Sequence, residues 1–116
     1  MADVTIWHNQ RCSKSRGALA ILEERGIDHE VVRYLEDTPS RAELERVLQL
    51  LGTDDPTAIA RRNEDLWKAL GLDAADRDAV LDALAANPSL IERPIVIKGD
   101  RAVVARPSEK VLDLLD

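Results

Sequence analysis

Two short β-branched runs, separated by a stretch the length of one helix, constrain this chain's fold more than any other feature. Val4-Thr5-Ile6-Trp7-His8 is short, β-branched and aromatic, so it reads as a buried opening strand. Asn9 to Ser13 is a polar turn. From Ser13 onward Ser15, Ala18, Leu19 and Leu22 recur at i, i+3, i+4 and i+7, which predicts a helix, and Gly26 supplies its C-terminal stop. His29 to Leu35, with Val31-Val32 at its centre, returns to strand character. A strand, helix and strand of these lengths form a βαβ unit, which favours a parallel strand pair joined by a right-handed crossover.

The pattern then breaks. Ser40-Arg41-Ala42-Glu43 fits a capping box, and Leu44, Val47, Leu48 and Leu51 make an apolar stripe closed by Gly52. Pro56 opens a short helix running through Ile59 towards Arg62, and Glu64–Leu70 and Asp76–Ala86 add two more before Asn87-Pro88. Strand character resumes at Pro94–Lys98 and Arg101–Ala105, which flank the hairpin turn Gly99-Asp100. Ser108 can cap a final helix bearing Val111, Leu112 and Leu115. The order β-α-β, helices, β-β-α predicts an α/β, thioredoxin-like fold. Its central mixed four-stranded sheet carries a helical insertion between the second and third strands. Residues 1–116 are expected to form one domain, with the insert at about 38–90.

Composition narrows the function. Phe is absent, and Trp7, Tyr34 and Trp67 are the only aromatics, so the core must be aliphatic. No apolar run approaches the ~20 residues of a membrane helix. The N-terminal residues lack the basic and apolar regions of a signal peptide, which with one cysteine implies a reduced, cytoplasmic protein. A net charge of −6 argues against nucleic acid or an anionic membrane as partner. The acidity is localised: residues 34–92 carry thirteen acids against six bases, whereas the two ends are close to neutral and could together form a basic site.

Cys12, the single cysteine, falls at the junction of the first strand and the first helix. Free amides and the positive end of the helix dipole favour an anion there. Lowering a thiol pKa by two units needs about 2.7 kcal/mol of differential stabilisation. A helix terminus with Arg11, Lys14 and Arg16 nearby is of the right size to supply it, at up to ~1–2 kcal/mol for each charge effect. The polar neighbours Gln10, Arg11, Ser13 and Lys14 predict an exposed sulfur rather than a buried filler. Spacing excludes two cysteine chemistries. A phosphatase-type loop needs Arg six positions after the cysteine, where Ala18 stands, and a dithiol site needs a second cysteine where Ser15 stands. A redox-active Cys12 must therefore find its resolving thiol on another molecule. Arg93-Pro94 precedes the third strand, where thioredoxin-like folds often carry a cis X-Pro bond, and Arg106-Pro107 follows the fourth. With Arg61-Arg62-Asn63 in the insert, these arginines suggest an oxyanion clamp.

The stretch His8-Asn9-Gln10-Arg11-Cys12-Ser13-Lys14-Ser15-Arg16 resembles the active-site segment of the glutaredoxin-dependent arsenate reductases, the ArsC type of the thioredoxin-like superfamily. Tyr34-Leu35-Glu36, Pro39-Ser40-Arg41, Arg61-Arg62-Asn63, Arg93-Pro94-Ile95-Val96 and Arg106-Pro107-Ser108-Glu109 match in order over nearly the whole chain. The resemblance implies that Cys12 attacks arsenate to form a covalent adduct, that glutathione adds, and that glutaredoxin completes reduction to arsenite. It further implies that His8 helps keep Cys12 ionised, that Ser15 donates a hydrogen bond to the sulfur, and that Arg61, Arg93 and Arg106 hold the oxyanion, with Arg62 as the alternative to Arg61. Glutathione enters as co-substrate; no bound organic cofactor or metal is implied. Ser13-Lys14 also look like the corresponding residues of short relatives whose substrates are less well defined, and the chain ends soon after Glu109. Two other readings stand beside the reductase: a glutathione-dependent thiol oxidoreductase, and a non-enzymatic regulator-like interaction module. The superfamily's RNA-polymerase-binding regulators typically carry a Cys-x-x-Cys switch, which Ser15 replaces here.

Overall fold

The first strand is the centre of the sheet because it is apolar on both faces: Val4, Ile6 and Trp7 are all buried. In the computed structural model, which describes residues 3–115, β1 (Val4–Trp7) pairs in parallel with β2 (His29–Val32) and antiparallel with β3 (Ile95–Lys98). β3 in turn pairs antiparallel with β4 (Arg101–Val104) across the Gly99-Asp100 turn. The sheet order is β2-β1-β3-β4. This is a mixed four-stranded sheet of the thioredoxin-like fold, as the element order predicts.

Helix α1 (Ser13–Glu24) makes the crossover from β1 to β2. Its exit is a Schellman turn: the Gly26 and Ile27 amides bond back to the Glu23 and Leu22 carbonyls at 3.1 and 3.0 Å. Gly26 takes φ +64°, a conformation that costs a side-chain-bearing residue ~1–2 kcal/mol. Ala18 and Leu22 of α1 pack on Val4, Ile6 and Val96, with Ala105, Val111 and Leu114 completing an all-aliphatic core.

The chain divides into two compact units, residues 1–37 with 93–116, and residues 38–92. The second unit is the helical insertion between β2 and β3. It holds α2 (Arg41–Leu51), α3 (Asp65–Ala69) and α4 (Arg77–Ala86), with 3-10 turns at Pro56–Ile59 and Pro88–Leu90. The capping box of α2 is present in full, Ser40 Oγ accepting from the Glu43 amide and Glu43 accepting from the Ser40 amide. Leu44, Leu48, Ile59, Leu81, Leu84, Leu90 and Ile91 are buried.

Three local expectations are corrected. β2 stops at Val32 rather than Leu35, because residues 34–36 turn and the Glu36 and Asp37 amides both bond to the Arg33 carbonyl. The helix opened by Pro56 is one 3-10 turn that does not reach Arg62, since Ala60 is extended and bridges to Ile91. Ser108 does not cap the last helix. It begins a 3-10 turn (Ser108–Val111) that leads into α5 (Leu112–Leu115), and its hydroxyl donates instead to the Lys14 carbonyl at 2.7 Å.

Candidate active site

The turn from β1 into α1 is organised by Asn9. Its side chain accepts the Arg11 amide at 3.0 Å, its carbonyl accepts the Cys12 amide at 3.0 Å, and its own amide donates to Ser15 Oγ at 3.0 Å. These bonds set Cys12 at the N-cap of α1 with extended backbone (φ −97°, ψ 123°). Sequence reading treated Asn9 as a turn residue only, although asparagine's habit of bonding its own backbone two residues on was the available signal.

Cys12 is only 9% exposed, which overturns the expectation of an exposed sulfur. The polar neighbours Gln10, Arg11, Ser13 and Lys14 are exposed, whereas Cys12 and Ser15 are buried. The helical turn separates two faces that the linear sequence interleaves. Cys12 is nevertheless set among polar groups. The guanidinium Nη1 of Arg106 lies 3.9 Å from Sγ and donates at 3.0 Å to the Arg93 carbonyl. Burial alone would push the thiol pKa up. The Ser15 and Lys14 amides, the positive charge of Arg93 and the Arg106 hydrogen bond together outweigh burial and hold it below the ordinary thiol range. The sulfur closes no standard side-chain cap bond, yet the Ser15 and Lys14 amides at the helix end favour its anion.

His8 and Ser15 are hydrogen-bonded to each other. Ser15 is fully buried, its Oγ 2.6 Å from His8 Nδ1, and that oxygen also accepts the Asn9 amide. The group of Ser15 that favours the thiolate is therefore its backbone N–H and not its hydroxyl, which is turned to His8 and Asn9. His8 does not serve as a cation beside the sulfur. Burial first, then the charges of Arg33 and Arg16, lower its pKa against a smaller opposing effect of Glu23. The neutral ring instead ties the end of β1 to the first turn of α1.

This has a consequence for stability. Unfolded His8 takes up a proton as pH falls through about 6.5, whereas the folded protein resists it. His8 therefore makes the native state lose stability on acidification from pH 7.5 into the window below 6.5, until the folded ring itself protonates. Urea midpoints at pH 7.5 and 5.5 should show this loss in the native sequence and a smaller one in His8→Gln; an equal loss in both excludes His8 as the cause.

Gly17 lies inside α1, where glycine costs roughly 1 kcal/mol relative to alanine. The reason it stands there is space. A Cβ at this position would meet Ser108 Oγ at 2.5 Å and Ser108 Cβ at 3.1 Å. The segment after Arg106 is thus seated directly on the first turns of α1, held by the Ser108 bond to Lys14. Gly17→Ala should destabilise the protein by about 1–2 kcal/mol despite its better helix propensity. Ser108→Gly should reverse most of that loss in the double variant, measured by urea denaturation. In the sequence Gly17 is not singled out, although a glycine in mid-helix is the signal, and Ser108 reads only as a cap.

Arg93 and Arg106 are half-buried and both precede cis proline bonds, at Arg93-Pro94 as expected and also at Arg106-Pro107. Arg61 belongs to the helical unit, where its guanidinium pairs with Glu64 and donates to the Ser89 carbonyl at 3.2 Å. Arg62 is exposed in the same unit and lowers the Asp55 pKa after the larger effect of Thr57. Among the described residues no group of three His, Cys, Asp or Glu side chains is placed to hold a metal ion, and no helix is long and apolar enough to cross a membrane.

The family model of the ArsC family matches residues 7–114. The chain belongs to the ArsC family. An arsenate reductase of Neisseria meningitidis serogroup A is 48% identical over 113 residues, covering 96% of this chain and 97% of that relative. The solved structure of an arsenate reductase from Vibrio cholerae is 46% identical and superimposes with a TM-score of 0.89, covering 97% and 98% of the two chains. A Yersinia pestis structure at 50% identity gives a TM-score of 0.91 and covers 96% of this ArsC chain and 99% of its own.

Proposed function

We propose that this ArsC-family chain reduces arsenate to arsenite with external thiols as reductant. The observation that carries the reading is the placement of Cys12 Sγ at the α1 N-terminus, 3.9 Å from Arg106 Nη1 and under the positive charge of Arg93. Such a site stabilises a thiolate and, beside it, a tetrahedral oxyanion.

In the proposed sequence the Cys12 thiolate attacks arsenic and displaces one oxygen as water, giving a cysteine–arsenate adduct. Arg93 and Arg106 neutralise charge on the remaining oxygens. Glutathione then bonds to arsenic through its sulfur and displaces a second oxygen, which leaves as water with the thiol proton. A glutaredoxin thiol attacks that sulfur, and the pair leaves as a mixed disulfide. The electron pair of the broken sulfur–arsenic bond stays on arsenic, reducing it from As(V) to As(III). Hydrolysis of the Cys12–arsenic bond releases arsenite and regenerates the thiolate. The chain has one cysteine, so both electrons must come from outside it.

The test is arsenite formation by the purified protein from arsenate, glutathione and glutaredoxin. Turnover should require all three, and intact-mass analysis without thiols should show arsenic bound to the native chain. Absence of arsenite above the protein-free rate would overturn the proposal.

A further inference from the structure

The start of α1 collects the buried polar side chains of this chain. Among the described residues these are His8, Ser15 and Ser108, and all three form hydrogen bonds at the β1–α1 junction. His8 and Ser15 serve each other. Ser108 arrives from the far end of the chain, and its partner is a backbone group, the Lys14 carbonyl at 2.7 Å. A carbonyl carries no proton, so the hydroxyl must be the donor. The Lys14 carbonyl and the Ser15 N–H are the two ends of one planar peptide group. Burial disfavours the Cys12 anion, and the Ser15 amide is foremost among the groups that favour it.

We propose that Ser108 is a positioning residue for the reaction at Cys12: its hydroxyl holds and polarises the Lys14–Ser15 peptide group, whose N–H favours the thiolate. The assignment rests on the reading of Cys12 as the nucleophile. A proton donated to a carbonyl oxygen draws electron density towards it and leaves the N–H of the same peptide more positive. The carbonyl has a second lone pair, so this bond adds to the hydrogen-bond ladder of α1 rather than replacing a rung. Gly17 makes the contact possible, since a Cβ there would lie 2.5 Å from Ser108 Oγ. Packing alone does not explain the pair. Gly17→Ala with Ser108→Gly would fill much the same space and favour the helix. The chain instead keeps a glycine inside α1 and buries a hydroxyl against it, at a desolvation cost that the Lys14 bond offsets. The same bond fastens the segment that begins at Arg106, whose Nη1 lies 3.9 Å from Sγ.

The test is a pH titration of the thiolate by its ultraviolet absorption, with Cys12→Ser as the baseline. The chain has one cysteine, so the signal belongs to Cys12 alone. No arsenate is used, so the result for Ser108 stands apart from whether the chain forms arsenite. Ser108→Ala removes the hydroxyl, keeps the Cβ and leaves Arg93 and Arg106 in place. Its midpoint should move up by roughly 0.3–0.5 pH unit, a two- to threefold loss of anion at any pH well below it. A change of about 10–30% in a hydrogen bond to a charged group has this effect. Val111→Ala is the control for lost stability. Val111 is fully buried in the same 3-10 turn, and its apolar side chain makes no hydrogen bond to α1. That variant should unfold at lower urea and keep the native midpoint. The repacked double variant, Gly17→Ala with Ser108→Gly, should recover most of the native stability yet keep the raised midpoint, because the hydroxyl is still missing. An unchanged midpoint in Ser108→Ala, an equal rise in Val111→Ala, or a native midpoint in the double variant overturns the proposal.

Discussion

Exchanging Cys12 for serine is expected to lower arsenite formation by at least about a thousandfold while leaving the thermal midpoint nearly unchanged. The reason for the first effect is the nucleophile. The site holds the thiol pKa below its ordinary range, so more thiolate exists near neutral pH than in a free thiol. A serine hydroxyl in the same place stays protonated there. No second cysteine exists to take over. The reason for the second effect is size: the side chain is nearly isosteric, and the backbone bonds that shape the turn come from Asn9 rather than from the sulfur. Arsenite assays beside circular dichroism melts check both halves. A Cys12→Ser variant as active as the parent would end the covalent mechanism.

Arg106→Ala should follow at a hundred- to thousandfold loss, the magnitude seen when one oxyanion-stabilising donor is removed. Arg106 acts twice. It hydrogen-bonds the sulfur at 3.9 Å, and through its bond to the Arg93 carbonyl it fixes the strand end that carries the second guanidinium. Its removal should raise the Cys12 pKa, read from the pH profile of alkylation by neutral iodoacetamide. It should also weaken arsenate turnover beyond what the lost thiolate explains. Arg106→Lys separates the two. A point charge restores most of the thiolate, whereas the planar fork that suits an oxyanion is missing. The lysine variant should therefore alkylate much like the native protein and still reduce arsenate poorly. Full recovery of both would reduce Arg106 to a source of charge.

The fold was largely legible because its signals are local. The β-branched runs at Val4–Trp7 and Ile95–Val96, the capping box at Ser40 and Glu43, the turn at Gly99-Asp100 and the stop at Gly26 each depend on neighbours within a few residues. The errors came where a distant partner intervened. Ser108 looks like a cap in sequence, yet its hydroxyl is taken by a carbonyl 94 positions away. Ser15 has its hydroxyl 2.6 Å from Nδ1 of a histidine that the strand–helix turn brings alongside, a partner that spacing along the chain does not show. Cys12 was expected in solvent because polarity along a chain does not say which way a helical turn faces.

The sequence alone determined most of the elements and their order, the position of the lone thiol at a helix start, and the lack of a second cysteine to pair with it, since these follow from residue type and near-neighbour spacing. The tertiary structure alone decided how charged that thiol is. Its ionisation balances the cost of burial against the amides of α1 and against guanidiniums from residues 93 and 106. Charge interactions depend on separation in space, and the return of the chain through β3 and β4 is what brings those two arginines to a cysteine more than eighty residues before them.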